Sequence, residues 1–239
     1  MIPKTEREQI IALINREVVP AIGCTEPIAV ALCVAKATET LGCRPEKIQA
    51  FLSANILKNA MGVGIPGTGM IGLPIAIALG ALIGKSEYQL EVLKDSTPEA
   101  VEEGKKLIDA QTINISLKEG IEEKLYIEIK CKAGDNEATA IISGGHTRFV
   151  YISKNEEILL NKESHSTNDS ESDDIELSLR KVYDFATTSP IEELAFILET
   201  RNLNKSAAER SFKGNYGHQL GKTLNSKKNE NLMMGDNTF

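Results

Sequence analysis

Tryptophan is absent from this 239-residue chain and aromatic residues make up only 5% of it, so any core is built from aliphatic side chains. Cysteine is sparse, and Cys24, Cys33, Cys43 and Cys131 include no CxxC or other close pair. Local spacing therefore gives neither a zinc nor an iron–sulfur motif, and irregular free thiols without an export signal point to a reducing cytoplasm. No apolar run approaches the roughly 20 residues that a membrane-spanning helix needs. The stretch from Met70 to Ile83 is too short and reads as a buried helix, and Met1 to Arg16 is an amphipathic charged helix rather than a signal peptide. Basic charge is also in deficit: a net charge of −7, with lysines and arginines scattered among acids, argues against nucleic acid as a partner.

With 41% hydrophobic residues, the chain has ample material for one large domain or two small ones. Residues 1–110 read as helix-rich with one strand at Ile48–Ser53. A charged helix over Glu99–Ala110 is opened by Ser96, Thr97 and Pro98. The period then switches to two. Thr112–Leu117, Leu125–Cys131, Ala138–Ile142 and Phe149–Ile152 alternate as strands of an antiparallel sheet, with turns near Ala133–Asn136 and Ser153–Asn155. The expected architecture is α+β: helical layers with a central antiparallel sheet over 1–160, a polar linker or mobile loop over 161–174, and a helical segment over 175–239. In that last segment helices are expected at Ile175–Ala186, Ile191–Phe212 and Tyr216–Leu224.

Two segments carry chemistry. Gly23-Cys24-Thr25-Glu26-Pro27 lies where a helical pattern ending at Pro20 meets an alanine-rich apolar run, Ile28 to Leu41. A cysteine at a helix mouth meets unpaired N–H groups and the positive dipole end, both of which favour thiolate. Thr25 suits a capping role, Glu26 the first turn, and Pro27 a position whose N–H would be unpaired anyway. The alternative is a structural cysteine at a tight turn. The second segment runs from Asn55 to Pro74 and holds Gly62, Gly64, Gly67, Gly69 and Gly72 just before an apolar helix, Ile75 to Ile83. It is neither a P-loop nor a dinucleotide fingerprint. Lys58, Asn59 and Thr68, with the Gly67-Thr68-Gly69 turn, suit a cradle for a small carboxylate; the alternative is a packing turn between buried elements.

These segments, with Leu93-Lys94-Asp95, Gly144-Gly145-His146-Thr147 and Gly214-Asn215-Tyr216-Gly217, occur in an order that resembles the L-cysteine desulfidase group, a YhaM-like uncharacterised family related to the alpha chain of iron–sulfur L-serine dehydratases. The resemblance covers essentially the whole chain. It implies a lyase that splits L-cysteine into pyruvate, ammonia and hydrogen sulfide with a [4Fe-4S] cluster. It assigns catalysis to Cys24, as thiolate base or as the residue facing the cluster's open iron. It gives substrate binding to Lys58, Asn59, Gly67, Thr68, Gly69, His146 and Thr147. For His146 the alternative is a turn histidine packed on the sheet. His165 is expected to be solvated in the linker and His218 to pack the last helix. Members of that group continue well beyond the Gly214–Gly217 motif, into a part that carries the cluster cysteines. This chain is therefore expected to be an N-terminal piece, inactive alone, with no complete metal site. Cys33 and Cys131 are expected to be core residues and Cys43 inert. Its partners are then a small amino acid and either a second copy, as a homodimer, or the missing C-terminal half. Two other readings stay open: a fragment of an L-serine dehydratase alpha chain, and a non-catalytic binding or regulatory remnant.

Overall fold

The computed structural model describes residues 2–162, 175–215 and 218–230, and it divides into two compact units. One comprises Ile14–Asp173, the other Met1–Leu13 with Asp174–Phe239. The larger unit begins with the last turn of α1 (Lys4–Glu17). It holds α2 (Thr25–Leu41), β1 (Lys47–Leu52), α3 (Ala54–Ala60), β2 (Gly64–Ile65), β3 (Met70–Ile71), α4 (Leu73–Ile83), a 3₁₀ segment (Ser86–Glu91) and α5 (Pro98–Asp109). The strands β4 (Ile113–Leu117), β5 (Tyr126–Ala133), β6 (Asn136–Ser143), β7 (Phe149–Lys154) and β8 (Glu157–Asn161) follow. The main sheet has the order β4-β1-β5-β6-β7-β8.

The fold is α+β, with a mixed sheet rather than a purely antiparallel one. β1 pairs with β4 in parallel, from Ile48 opposite Ile113 to Leu52 opposite Leu117, and every other pair in the sheet is antiparallel. The parallel pair is possible because α3, α4 and α5 form a long helical crossover between its strands. Strand alternation decides which face is buried. Ile48, Ala50, Leu52, Ile127, Ile129, Cys131, Ala138, Ala140 and Ile142 point inward and join α2 and α4 in one aliphatic core. The opposite face carries Glu128, which is buried nonetheless and bound by Lys118 at 2.6 Å, the Tyr126 hydroxyl at 3.0 Å and Lys130 at 3.5 Å.

Helix α2 is apolar nearly all round, which is why it can lie buried between the sheet and α4. It ends at Gly42, whose left-handed φ of 85° lets its N–H return to the Thr38 carbonyl. Gly80 sets the spacing between α2 and α4: a Cβ there would stand 2.6 Å from the Ala31 carbonyl oxygen. Helix α5 starts where Thr97 accepts from the Ala100 N–H, one residue before Pro98.

The second unit contains the start of α1, α6 (Leu179–Thr188), a 3₁₀ turn (Ile191–Leu194), α7 (Ile197–Lys213) and α8 (Leu220–Asn229). The helix expected over Ile191–Phe212 is broken: Ala195 and Phe196 separate the 3₁₀ turn from α7. α8 starts at Leu220 rather than Tyr216, and α6 at Leu179 rather than Ile175, after Ser178 has capped the Lys181 N–H. Arg7 grips Glu193 through two bonds of 2.8 and 3.0 Å, and Lys181 pairs with Glu6 at 3.4 Å. Of the polar run expected to be a linker, only Asn161 and Lys162 belong to the described residues. His165, Tyr216, Gly217 and residues 231–239 lie outside them. No helix among the described residues is long and apolar enough to cross a membrane.

Candidate functional site at the mouth of α2

Cys24 occupies the N-cap position of α2 with extended backbone (φ −60°, ψ 131°), so Thr25 is the first helical residue rather than the cap. The Cys24 side chain caps no N–H. Its thiol instead donates to Glu26 Oε2 at 3.0 Å, and the Thr25 hydroxyl reaches the same oxygen at 3.4 Å. The other oxygen, Glu26 Oε1, accepts from the Asn59 side-chain amide at 3.3 Å. Asn59 comes from α3, which Ser53 starts by accepting from the Ile56 N–H while its own hydroxyl donates to the Lys124 carbonyl at 2.7 Å. Two segments far apart in sequence thus meet on one carboxylate.

Electrostatics within this group run opposite to the expectation for a bare helix mouth. Partial desolvation of the sulfur, and then the Glu26 carboxylate that receives its proton, push the Cys24 thiol up from its ordinary value. Cys24 is exposed by surface area, so the carboxylate 3.0 Å away is the firmer of the two causes. Glu26 is held below the usual carboxylate range. The Cys24 hydrogen bond does most of this, against desolvation; its own helix-start N–H and the Asn59 amide add to it. At rest, then, the thiol keeps its proton and Glu26 is the anion.

His146 is half-buried in the turn between β6 and β7, which Arg148 closes by donating its N–H to the Gly145 carbonyl at 3.1 Å. Thr147 is exposed in the same turn. Gly144 precedes it with φ +73°.

The glycine-rich segment folds as the β2–β3 hairpin, which periodicity did not reveal. Its Pro66 packs on the cysteine loop: a Cβ at Gly23 would stand 2.9 Å from Pro66 Cγ. Gly67 and Gly69 have φ of +76° and +65° with open space where a Cβ would be, so backbone conformation alone asks for glycine there. The Thr68 hydroxyl is engaged inside the hairpin, donating to the Ile65 carbonyl at 2.7 Å and accepting from the Met70 N–H at 2.9 Å. Lys58 is exposed on the last turn of α3. Of the residues expected to form the site, Cys24 and Asn59 converge through Glu26, Gly67 and Gly69 shape the adjoining hairpin, and Thr68 holds it together. Glu26 carries the group, although its sequence position marked it only as a first-turn acid.

The remaining cysteines do not converge on Cys24. Cys33 is nine residues further along α2, about 13 Å by helical rise. It is fully buried with its thiol 3.3 Å from the Ala140 carbonyl, and desolvation raises its pKa far above the ordinary value. Burial pushes Cys131 up to about 12, against a hydrogen bond from Thr38. Cys43 is exposed beyond the end of α2. Among the described residues no three His, Cys, Asp or Glu side chains gather as a metal site. This donor set does not fit a [4Fe-4S] cluster, which takes three or four converging thiolates.

No family model matches the chain. No solved structure matches it either. Among curated proteins it is 75% identical over 239 residues to a UPF0597 protein of Phocaeicola vulgatus, covering 100% of this chain and 56% of that protein. It is 72% identical over 236 residues to a UPF0597 protein of Bacteroides fragilis, at 99% and 55% coverage. A UPF0597 protein of Photobacterium profundum is 40% identical over 228 residues, at 94% and 53% coverage. The chain thus spans about half the length of the curated relatives it matches.

Proposed function

We propose that the mouth of α2 is the proton-handling and amino-acid-binding part of a carbon–sulfur lyase that cleaves L-cysteine by α,β-elimination. The observation that carries this reading is the Cys24 thiol hydrogen-bonded to an ionised Glu26, which the Asn59 amide also addresses. Elimination needs a base at Cα and a donor for the departing sulfur. Passing the thiol proton to Glu26 Oε2 across 3.0 Å creates a thiolate of raised basicity and a protonated carboxyl side by side. The thiolate takes the Cα proton. The electron pair of the Cα–H bond becomes the Cα–Cβ double bond as the Cβ–S bond breaks, and the carboxyl proton goes to the sulfide. The enamine left behind tautomerises to an imine, and water converts it to pyruvate and ammonia. Asn59, at the end of α3, holds the second oxygen of the Glu26 carboxylate, with Lys58 exposed beside it.

The resemblance to iron–sulfur lyases adds a cluster whose thiolates would come from outside the described residues. The proposed activity accordingly belongs to a protein with the full length of the relatives, and this chain alone is expected to be inactive. Four free thiols suit the reducing cytoplasm. The test is anaerobic incubation of the longer Phocaeicola vulgatus relative with L-cysteine or L-serine. Pyruvate and sulfide in equal amounts from L-cysteine support the reading. Pyruvate from L-serine alone would move it to a dehydratase, and no product from either would overturn it.

A further inference from the structure

Building on the lyase reading, we infer that Arg148 is a specificity-determining residue that takes the carboxylate of the bound amino acid. Three observations lead there. Arg148 closes the turn at the end of β6, and α2 runs along that strand towards the turn: Thr38 lies beside Cys131, which pairs with Ala138, and Cys33 lies beside the Ala140 carbonyl, so the Cys24 end of α2 points to the β6–β7 turn. Its guanidinium folds back over Gly144: a Cβ at that glycine would stand 2.9 Å from Arg148 Nη1. Any side chain at position 144 would push the guanidinium off the turn, and the φ of +73° independently favours glycine there. Finally, Arg148 is exposed and forms no ion pair among the described residues.

Glu123 reaches the same turn but forms no ion pair with Arg148. Glu123 Oε2 lies 4.0 Å from the same point above Gly144, while Glu123 Oε1 accepts from the Leu125 N–H at 3.2 Å. What remains is a planar fork of N–H donors, laid across the turn towards which the Cys24 end of α2 points. A guanidinium meets a carboxylate through two parallel hydrogen bonds, which fixes orientation as well as charge; the ammonium of Lys58 offers a point charge on a flexible stem. A ligand that must present its Cα–H to one thiolate needs the oriented contact.

The test measures binding of L-cysteine and of L-cysteinamide, which lacks the carboxylate, by amide chemical-shift titration of this chain under reducing conditions. Arg148→Ala, Arg148→Lys and Lys58→Ala are compared with the wild type. The wild type is expected to prefer L-cysteine by roughly ten- to a hundredfold, the range for one charge-assisted contact. Arg148→Ala should erase that preference with an unchanged melting temperature, Arg148→Lys should restore only part of it, and Lys58→Ala should retain it. No preference in the wild type, or a preference lost in Lys58→Ala and kept in Arg148→Ala, overturns the assignment. The two readings fail separately. If the longer relative makes sulfide and pyruvate but Arg148→Ala binds like wild type, Arg148 falls and the lyase stands. If Arg148 governs carboxylate preference but no sulfide is released, the lyase falls and the carboxylate site stands.

Discussion

Helices α2 and α7 are both 17 residues long, yet α2 buries eleven side chains and α7 buries none. The difference is written in composition. α2 reads TEPIAVALCVAKATETL, with alanine and branched aliphatics on every face; α7 reads ILETRNLNKSAAERSFK, with charge and amide spread around it. Tertiary packing holds the first. The second relies on helix propensity, a Lys205–Glu209 pair at 3.8 Å, and Arg210 and Lys213 in its last turn. Chemistry that needs sub-ångström placement belongs on the former kind of element, and Cys24 and Glu26 sit at its start.

The largest expected effect contrasts the two helices directly. Leu32→Ala removes a fully buried side chain from α2 and should cost about 2–5 kcal/mol in urea unfolding, whereas Leu203→Ala on α7 should stay within about 0.5 kcal/mol. Equal costs would dissolve the distinction. Next comes Gly80→Ala, where the added methyl meets Ala31 backbone at 2.6 Å. Helix propensity favours alanine by up to about 1 kcal/mol, but overpacking at the α2–α4 contact should win and leave a net loss of about 1–3 kcal/mol. A stabilised variant would mean that the two helices are further apart.

A smaller effect should appear in pH dependence. Burial opposes ionisation of Glu128, but Lys118, the Tyr126 hydroxyl and Lys130 outweigh it and hold the carboxyl below its ordinary range. A folded-state pKa below the unfolded one gives stability that is complete above the unfolded value and lost as pH falls through the folded one. Unfolding free energy should therefore drop between about pH 5 and pH 3, and the drop should shrink in Glu128→Gln. An unchanged slope would remove Glu128 from the account. Smallest is the effect of Glu26→Gln on Cys24. Replacing the carboxylate that holds its proton should lower the thiol pKa and speed iodoacetamide labelling several-fold near neutral pH, with buried Cys33 and Cys131 unlabelled throughout. Slower labelling of Cys24 in the variant would show that the helix end, not Glu26, sets its protonation.

The same contrast explains what was legible in the sequence. Strands β5 to β7 announced themselves by alternation because one face is buried against α2, and α2 by its unbroken apolar run. The parallel β1–β4 pair did not, since Ile48–Leu52 and Ile113–Leu117 carry no mark of which neighbour they take. β8 was missed because its residues are mostly exposed and show no clean alternation. The helix over 191–212 was drawn too long because nothing local to Ala195 or Phe196 signals a break. At the site, Cys24, Asn59 and His146 stood out through their motifs. Glu26 and Arg148 did not, because their roles arise from long-range placement: Glu26 from meeting Asn59 of α3, and Arg148 from folding over Gly144.

The central claim is that a small amino acid occupies the mouth of α2 beside Cys24. Its most direct test is the rate of Cys24 alkylation by iodoacetamide, read by mass spectrometry, as a function of added L-serine, a thiol-free analogue of L-cysteine. The account predicts saturable slowing at Cys24, with exposed Cys43 labelled at a constant rate. Labelling of Cys24 that is indifferent to L-serine at every concentration, or slowed in parallel with Cys43, would contradict it.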